Sequence, residues 1–269
     1  MSENWKNDTE KLANEIRVKS LRMTSKARSS HIGSCLSVAD IFATIYSGVA
    51  RITSDTVNNP ERDRVLISKG HVAAAYYAVL ESTGFIDASK LDSYCQDGAL
   101  LGGHVSARVN GVELSTGSLG HGLPYGVGLA LGLKFSFPGT KVFVVMSDGE
   151  LDEGTTWESA LIANHHKLEN LVVVVDRNNL QSLDTTENTL ALEPLAQKWR
   201  AFGWNVIECD GHNVEKLRVA LIQKGPVIVL ATTVKGHGVS FMRNSVAWHY
   251  RSPSEEELTA ALGELGVKS

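Results

Sequence analysis

A carboxylate and an amide stand at matching places in this chain. Ser147-Asp148-Gly149-Glu150 follows the apolar run Lys141-Val-Phe-Val-Val-Met146, and Asp176-Arg177-Asn178-Asn179-Leu180 follows Leu171-Val-Val-Val-Val. Asp148 and Asn178 lie 30 positions apart, about the length of one strand–helix–strand unit. Both runs read as strands buried on two faces, and open parallel sheets bind ligands outside the carboxyl ends of their strands. The two side chains can therefore reach one edge of the sheet. A carboxylate, an amide oxygen and a nearby backbone carbonyl are hard oxygen donors suited to Mg²⁺ or Ca²⁺. Mg²⁺ takes one or two protein carboxylates and completes its shell with phosphate and water. Gly149 lets the backbone approach a phosphate closely, and the N-terminus of the following helix favours anions. The plainer alternative is that Asp-Gly and Asn-Asn simply make turns. Their shared position at two strand ends favours a metal-bridged diphosphate.

Of nine histidines, six sit beside a glycine or one residue from it: His31, His71, His104, His121, His212 and His237. Glycine-flanked histidine in a loop fits ligand contact, although turns alone produce the same spacing. His165, His166 and His212 read as structural, since none shows metal-ligand spacing with a cysteine or a second set of carboxylates. Glu153 and Glu158 flank an expected helix start, where acidic residues are favoured in any case. The glycine-rich run Gly120–Gly132 lacks both the preceding strand of a dinucleotide fingerprint and the lysine of a P-loop. A closely packed helix lined with small residues explains it better.

The elements that must position these groups alternate. Hydrophobic spacing predicts helices over 10–28 and 37–46, a strand over 64–68 and an Ala-rich helix over 72–83. Residues 94–122 carry little periodicity and read as a long loop, a class of segment that is often functional. Beyond it come strands at 141–146, 171–176, 204–209 and 227–232, separated by helices at 155–167, 193–201 and 214–223. Such alternation predicts an α/β fold, a doubly wound parallel sheet with helices on both faces. No linker, repeat or low-complexity tract interrupts it. A single domain over 1–269 is expected, with a C-terminal tail from about 252 that carries a short acidic helix.

Composition narrows the partners. The chain of 269 residues is 43% hydrophobic and 21% charged, with a formal net charge of −4 and no basic run, so nucleic acid is not expected. Three scattered cysteines, Cys35, Cys95 and Cys209, read as free thiols. The polar N-terminus lacks a signal-peptide core, and no uninterrupted apolar run approaches the roughly 18 residues of a membrane span. A soluble cytoplasmic protein without membrane contact is expected.

Asp148-Gly-Glu-Leu-Asp-Glu-Gly154, followed by Asp176-Arg-Asn-Asn-Leu180, resembles the thiamine diphosphate signature of transketolases, with Ser147 where the family has its first glycine. Four more segments are similar to family loops: Ser30–Ser34 (Ile32 replaces the usual proline), Ser68–His71, Gly102–His104 and Thr116–Gly122 (His121 replaces the usual glutamine). The resemblance spans roughly residues 18–250. It implies the thiamine diphosphate-binding fold, with Asp148, Asn178 and the main-chain carbonyl of Leu180 holding Mg²⁺ or Ca²⁺. Gly149, Glu150, His71, Asn178 and His249 would contact the cofactor, and Gly117 and Leu119 would face its aminopyrimidine. His31, His71, His104 and His249 would meet the sugar. Glu153 and Glu158 would lie at a subunit interface linking two active sites. His121 and His237 are left without a defined role.

In that family a glutamate that protonates the aminopyrimidine, and an aromatic residue that stacks on it, come from a pyrimidine-binding domain not found in this sequence. The resemblance thus implies a split enzyme. A separate C-terminal transketolase subunit would supply that domain in an α2β2 assembly acting on sugar phosphates. The alternatives are the alpha subunit of a 2-oxo acid dehydrogenase, a deoxyxylulose phosphate synthase fragment and a non-catalytic scaffold subunit.

Overall fold

The computed structural model describes residues 4–267. The apolar runs form five parallel strands: β1 (Arg64–Ile67), β2 (Val142–Ser147), β3 (Leu171–Arg177), β4 (Asn205–Asp210) and β5 (Val227–Thr232), in the spatial order β1-β2-β3-β5-β4. The register pairs Ser147 with Asp176 and Asp176 with Ala231. The carboxyl ends of three neighbouring strands are therefore level, and whatever follows them shares one ledge.

Among the described residues ten α-helices surround this sheet: α1 (Trp5–Ala27), α2 (Ile32–Thr44), α3 (Ala73–Ser82), α4 (Ala88–Leu91), α5 (Gly122–Ser136), α6 (Gly154–His165), α7 (Thr186–Thr189), α8 (Leu195–Ala201), α9 (Val214–Leu221) and α10 (Glu255–Glu264). Alternate strand residues feed two cores. Val65, Phe143, Val145, Val172, Val174 and Val229 pack with α1, α2, α3 and α9, while Leu66, Val144, Met146, Val173, Val175 and Ile228 pack with α5, α6 and α8. Full burial of all these strand side chains explains why the runs are continuously apolar rather than alternating.

Two boundaries differ from expectation. α1 begins five residues early, because the Trp5 indole N–H reaches the Ser47 carbonyl at 2.7 Å and docks that turn. α2 also begins five residues early. Its Gly-Ser-Cys start lacks a strong helical pattern, yet all thirteen of its residues are buried, so packing overrides propensity. The short acidic helix expected beyond 252 is α10, and it is docked on the core. Ala261 is fully buried, and Leu258, Leu262 and Leu265 pack against the α1 side of the core. The stretch Ile32–Val49 reaches a mean hydropathy of 1.4, but 83% of it is buried inside the fold, which is the behaviour of a central core helix.

Between α4 and α5 the chain runs without a strand or a helix. Thr116 Oγ1 donates to the Ile67 carbonyl at 2.6 Å, and the Tyr77 hydroxyl donates to the His104 carbonyl at 3.0 Å. These bonds fasten the loop over the end of β1. A Cβ at Gly70 would lie 2.4 Å from the Thr116 carbonyl oxygen, and one at Gly122 would lie 2.2 Å from Ser68 Oγ. Both positions need glycine so that the loop can lie flat on the strand end.

Candidate active site

The β2 and β3 ends meet through Asp148. Its carboxylate accepts the Asn179 N–H at 2.7 Å and the Gly149 N–H at 2.9 Å, and Arg177 Nη1 lies 3.6 Å away. Asn178 Oδ1 accepts the Leu180 N–H at 3.1 Å, a tight turn that brings the amide oxygen and the Leu180 carbonyl into one loop. Asp148 is 2% exposed. Burial, then the charge of Asp176, pushes its carboxyl above the usual carboxylate range. A divalent cation beside it would relieve both effects. Ser147 Oγ lines the same cleft, buried and without a hydrogen-bond partner. The donor set is therefore all oxygen, close together and partly unsatisfied, and it fits a hard metal bridged to a phosphate. The Gly149 N–H is engaged by Asp148, because the short 3₁₀ turn Gly149–Asp152 folds it back on that side chain. The helix beyond begins only at Gly154, outside the cleft.

Four histidines converge above this floor. The ring of His31 lies 5.3 Å from His71, 5.7 Å from His104 and 5.0 Å from His249, and His71 and His249 are 5.9 Å apart. They come from four separate segments. His31 sits in the left-handed conformation (φ 76°) at the start of α2, and its N–H donates to the His249 carbonyl at 2.8 Å. Burial, then the neighbouring His104, lowers the His31 pKa to about 4. Burial, then Lys235, lowers His249 to about 3, and burial, then Lys69, holds His71 well below its ordinary value. These three imidazoles are neutral near pH 7, able both to donate and to accept. With Gly117, Leu119, Gly149, Asn178 and Leu180 they line a cleft of about 210 Å³. A larger groove of about 810 Å³ lies between the end of α1 and the start of α10, so chemistry rather than size singles out this cleft.

Glu150 follows Gly149 and does not itself line the cleft. It is fully buried, accepts from Ser68 Oγ, accepts the Gly120 N–H at 2.9 Å and lies 3.4 Å from the Ser147 N–H. Its oxygens are turned inward, and it ties the 116–122 loop to the ends of β1 and β2. Glu153 and Glu158 are exposed and do not line the cleft, and neither do the exposed His121, His165 and His166.

The residue that motif reading missed is Lys235. It is 1% exposed, and its ammonium reaches the Leu180 and Gln181 carbonyls at 3.2 Å each and His249 Nδ1 at 2.9 Å. That last bond makes Nδ1 the acceptor and leaves the proton on Nε2. Burial, then Lys69, lowers the Lys235 pKa to about 8. Its signal was present: a lysine beside a Gly-His-Gly turn, just past the end of β5. Beneath it, Lys69 Nζ bonds Asp176 Oδ2 at 2.5 Å, both groups fully buried, and Ser37 and Thr233 donate to the same carboxylate. Burial opposes the Asp176 charge, but Lys69 and these hydrogen bonds outweigh it and hold the carboxyl below its usual range.

His212 steadies the Lys235 segment. Its Nε2 accepts the Val234 N–H at 2.9 Å, its Nδ1 donates to Asp40 at 2.7 Å, and Arg17 bonds the same carboxylate. His237 stacks on it at 3.5 Å. Asp40, His212 and His237 could in principle share a metal. Yet two of the three are already bonded, and parallel stacked rings direct their in-plane lone pairs away from a common point. The structural reading of His212 is the better one.

Comparison with known proteins places this cleft in context. Residues 8–269 match the family described as "Transketolase, thiamine diphosphate binding domain". An apulose-4-phosphate transketolase subunit from Actinobacillus succinogenes is 40% identical over 264 residues, 96% of each chain. A 6-deoxy-6-sulfo-D-fructose transketolase subunit from a Clostridium species is 36% identical over the same share of each. The structure superimposes on transketolase from Leishmania mexicana with a TM-score of 0.89 and 30% identity, covering 96% of this chain and 41% of that one.

Proposed function

This chain belongs to the transketolase family through its thiamine diphosphate-binding domain, and on that premise we propose that it is one half of a two-chain transketolase. It would transfer a two-carbon ketol unit from a ketose phosphate to an aldose phosphate. The carrying observation is the convergence of four histidine rings over the Asp148–Asn178–Leu180 loops in one cleft. Two relatives that this chain matches over 96% of their length are named as transketolase subunits, which supports the two-chain reading. The cleft volume of about 210 Å³ is below the roughly 300–1,000 Å³ common for ligand pockets, as suits a site completed by a second chain. An α2β2 assembly in the cytoplasm, with Mg²⁺ or Ca²⁺, is the form we infer.

Asp148, Asn178 and the Leu180 carbonyl would hold the metal, and Lys235 would add positive charge beside the diphosphate. Gly117 and Leu119 line the wall above them. Thiamine diphosphate supplies, when bound, the electron sink that carbon–carbon cleavage of a ketose requires. Lys235 fixes the His249 tautomer, and His249 in turn holds the His31 N–H through its carbonyl. His31, His71 and His249 stay neutral near pH 7 and can hydrogen-bond sugar hydroxyls or move their protons. The open cleft needs its partner to exclude water.

A 2-oxo acid dehydrogenase subunit and a scaffold subunit are the competing readings. The names of the relatives speak against the first, and the fully assembled floor speaks against the second. The test pairs this chain with a transketolase pyrimidine-domain chain from the same organism and supplies thiamine diphosphate and Mg²⁺. Transfer of a two-carbon unit from D-fructose 6-phosphate or apulose 4-phosphate to an aldose phosphate is expected. Decarboxylation of a 2-oxo acid without such transfer would overturn the reading.

A further inference from the structure

One aromatic ring at the mouth of the cleft plays no part in the core. Tyr250 is 62% exposed, yet its ring stands edge-on to His249 at 4.9 Å and lies 6.5 Å from His31. It lines the cleft beside both. Among the described residues its hydroxyl bonds nothing, so both the ring face and the polar tip are available.

The backbone beneath it is held from several directions. The Tyr250 and Arg251 N–H groups both reach the Ala247 carbonyl, at 3.3 and 3.0 Å, closing the turn Val246–His249. On the cleft side, His31 bonds the His249 carbonyl at 2.8 Å. On the opposite side, Trp248 is buried, with its indole N–H on the Phe241 carbonyl at 3.1 Å. The Arg251 guanidinium lies 4.4 Å over the Trp248 ring and donates to Glu257 at 2.6 Å. Glu257 also accepts the Ser254 N–H at 2.9 Å in the capping box of α10. The docked C-terminal helix thereby sets the position of the turn, and the turn presents an exposed ring.

A tyrosine combines a flat apolar body with a polar tip and has few rotatable bonds to freeze on binding. The carbon chain of a sugar combines an apolar C–H face with hydroxyls in the same way. The neutral histidines can meet the hydroxyls, and Tyr250 offers the broad, flat apolar face that is exposed at the cleft mouth. We propose that Tyr250 is a specificity-determining residue of the cleft, a preorganised platform against which the carbon chain of the ketose donor packs. This rests on the transketolase reading of the site.

The test uses the assembled two-chain enzyme with Tyr250→Gly and Tyr250→Phe, and D-fructose 6-phosphate and apulose 4-phosphate as donors. Tyr250→Gly should raise KM for the better donor about tenfold, with the loss in KM rather than kcat, as for an interaction made equally before and during reaction. Tyr250→Phe keeps the ring and should stay within about twofold of the parent. Calorimetric affinity for thiamine diphosphate and the assembly state should not change in either variant. An unchanged KM in Tyr250→Gly would overturn the proposal, as would a rise that merely follows weakened assembly, since the ring would then be a partner contact. If the parent enzyme transfers no two-carbon unit from either donor, the transketolase reading itself falls and takes the platform with it. The two failures are thus told apart by the parent's activity.

Discussion

Asp176, under the floor of the cleft, accepts hydrogen bonds from Lys69, Ser37 and Thr233 and is fully buried, whereas His104 and Tyr250 at its mouth are exposed and bond no described residue through their side chains. The contrast holds throughout. Below, Glu150, Asp148, Lys235 and His212 each bind two or more groups from different segments. Above, the rings lie near one another with few bonds between their side chains. The floor is largely assembled before any ligand arrives, which limits the reorganisation needed when a charged cofactor binds. The rim is left incomplete, as suits groups that must form their bonds with a changing substrate.

Removing a floor group that bonds only other protein groups, such as Lys69, should therefore damage the fold more than the chemistry, and removing a rim group should do the reverse. Lys69→Ala has the largest expected effect on folding, because it strands the Asp176 charge in the interior. A loss of about 3–5 kcal/mol is expected, read from the urea midpoint of this chain. A loss under about 1 kcal/mol would mean that the Lys69–Asp176 pair contributes little. At the rim, His104→Ala should leave stability within about 0.5 kcal/mol. The same change should lower kcat/KM of the assembled enzyme on the order of 10²-fold. Parental activity in this variant would remove His104 from the site.

The smallest effect is set by pH. Burial lowers the folded-state pKa of His31 to about 4 and of His249 to about 3, against roughly 6.5 in the unfolded chain. As pH falls below 6.5 the unfolded chain takes up protons that the folded chain refuses. The stability present above that pH is lost progressively toward pH 4 and below. Imidazole resonances of His31 and His249 should remain those of neutral rings from pH 8 to pH 5. Titration of either near 6.5 would show that the rim is as open to water as a surface loop.

The same division explains what could be read from sequence. Strand order aside, the βα alternation was plain, because β2, β3 and β5 are buried on both faces and so continuously apolar, while the edge strand β4 is only partly covered. Asp148, Asn178, His71 and His104 were legible since each follows a strand or adjoins a glycine, whereas His249 was singled out only by the family resemblance. Glu150 stood in the same motif, and its inward bonds to Ser68 and Gly120, like those of Asp148 to Asn179, could not be read from spacing. Lys235 and Tyr250 act through position alone. Lys235 is brought to Leu180 by the adjacency of β5 and β3, and Tyr250 is brought to His31 by the docking of α10. No spacing along the chain encodes either contact.

The central claim is that this chain carries the diphosphate floor of a thiamine diphosphate site completed by a second chain. The most direct test is calorimetric titration of thiamine diphosphate with Mg²⁺ into this chain alone, into its mixture with the pyrimidine-domain partner, and into the same mixture made with Asp148→Ala. The account predicts tight binding in the parental mixture, much weaker binding to the single chain, and loss of at least about 100-fold in affinity with Asp148→Ala, about 2.7 kcal/mol. Binding in no sample, or binding indifferent to Asp148, would contradict it.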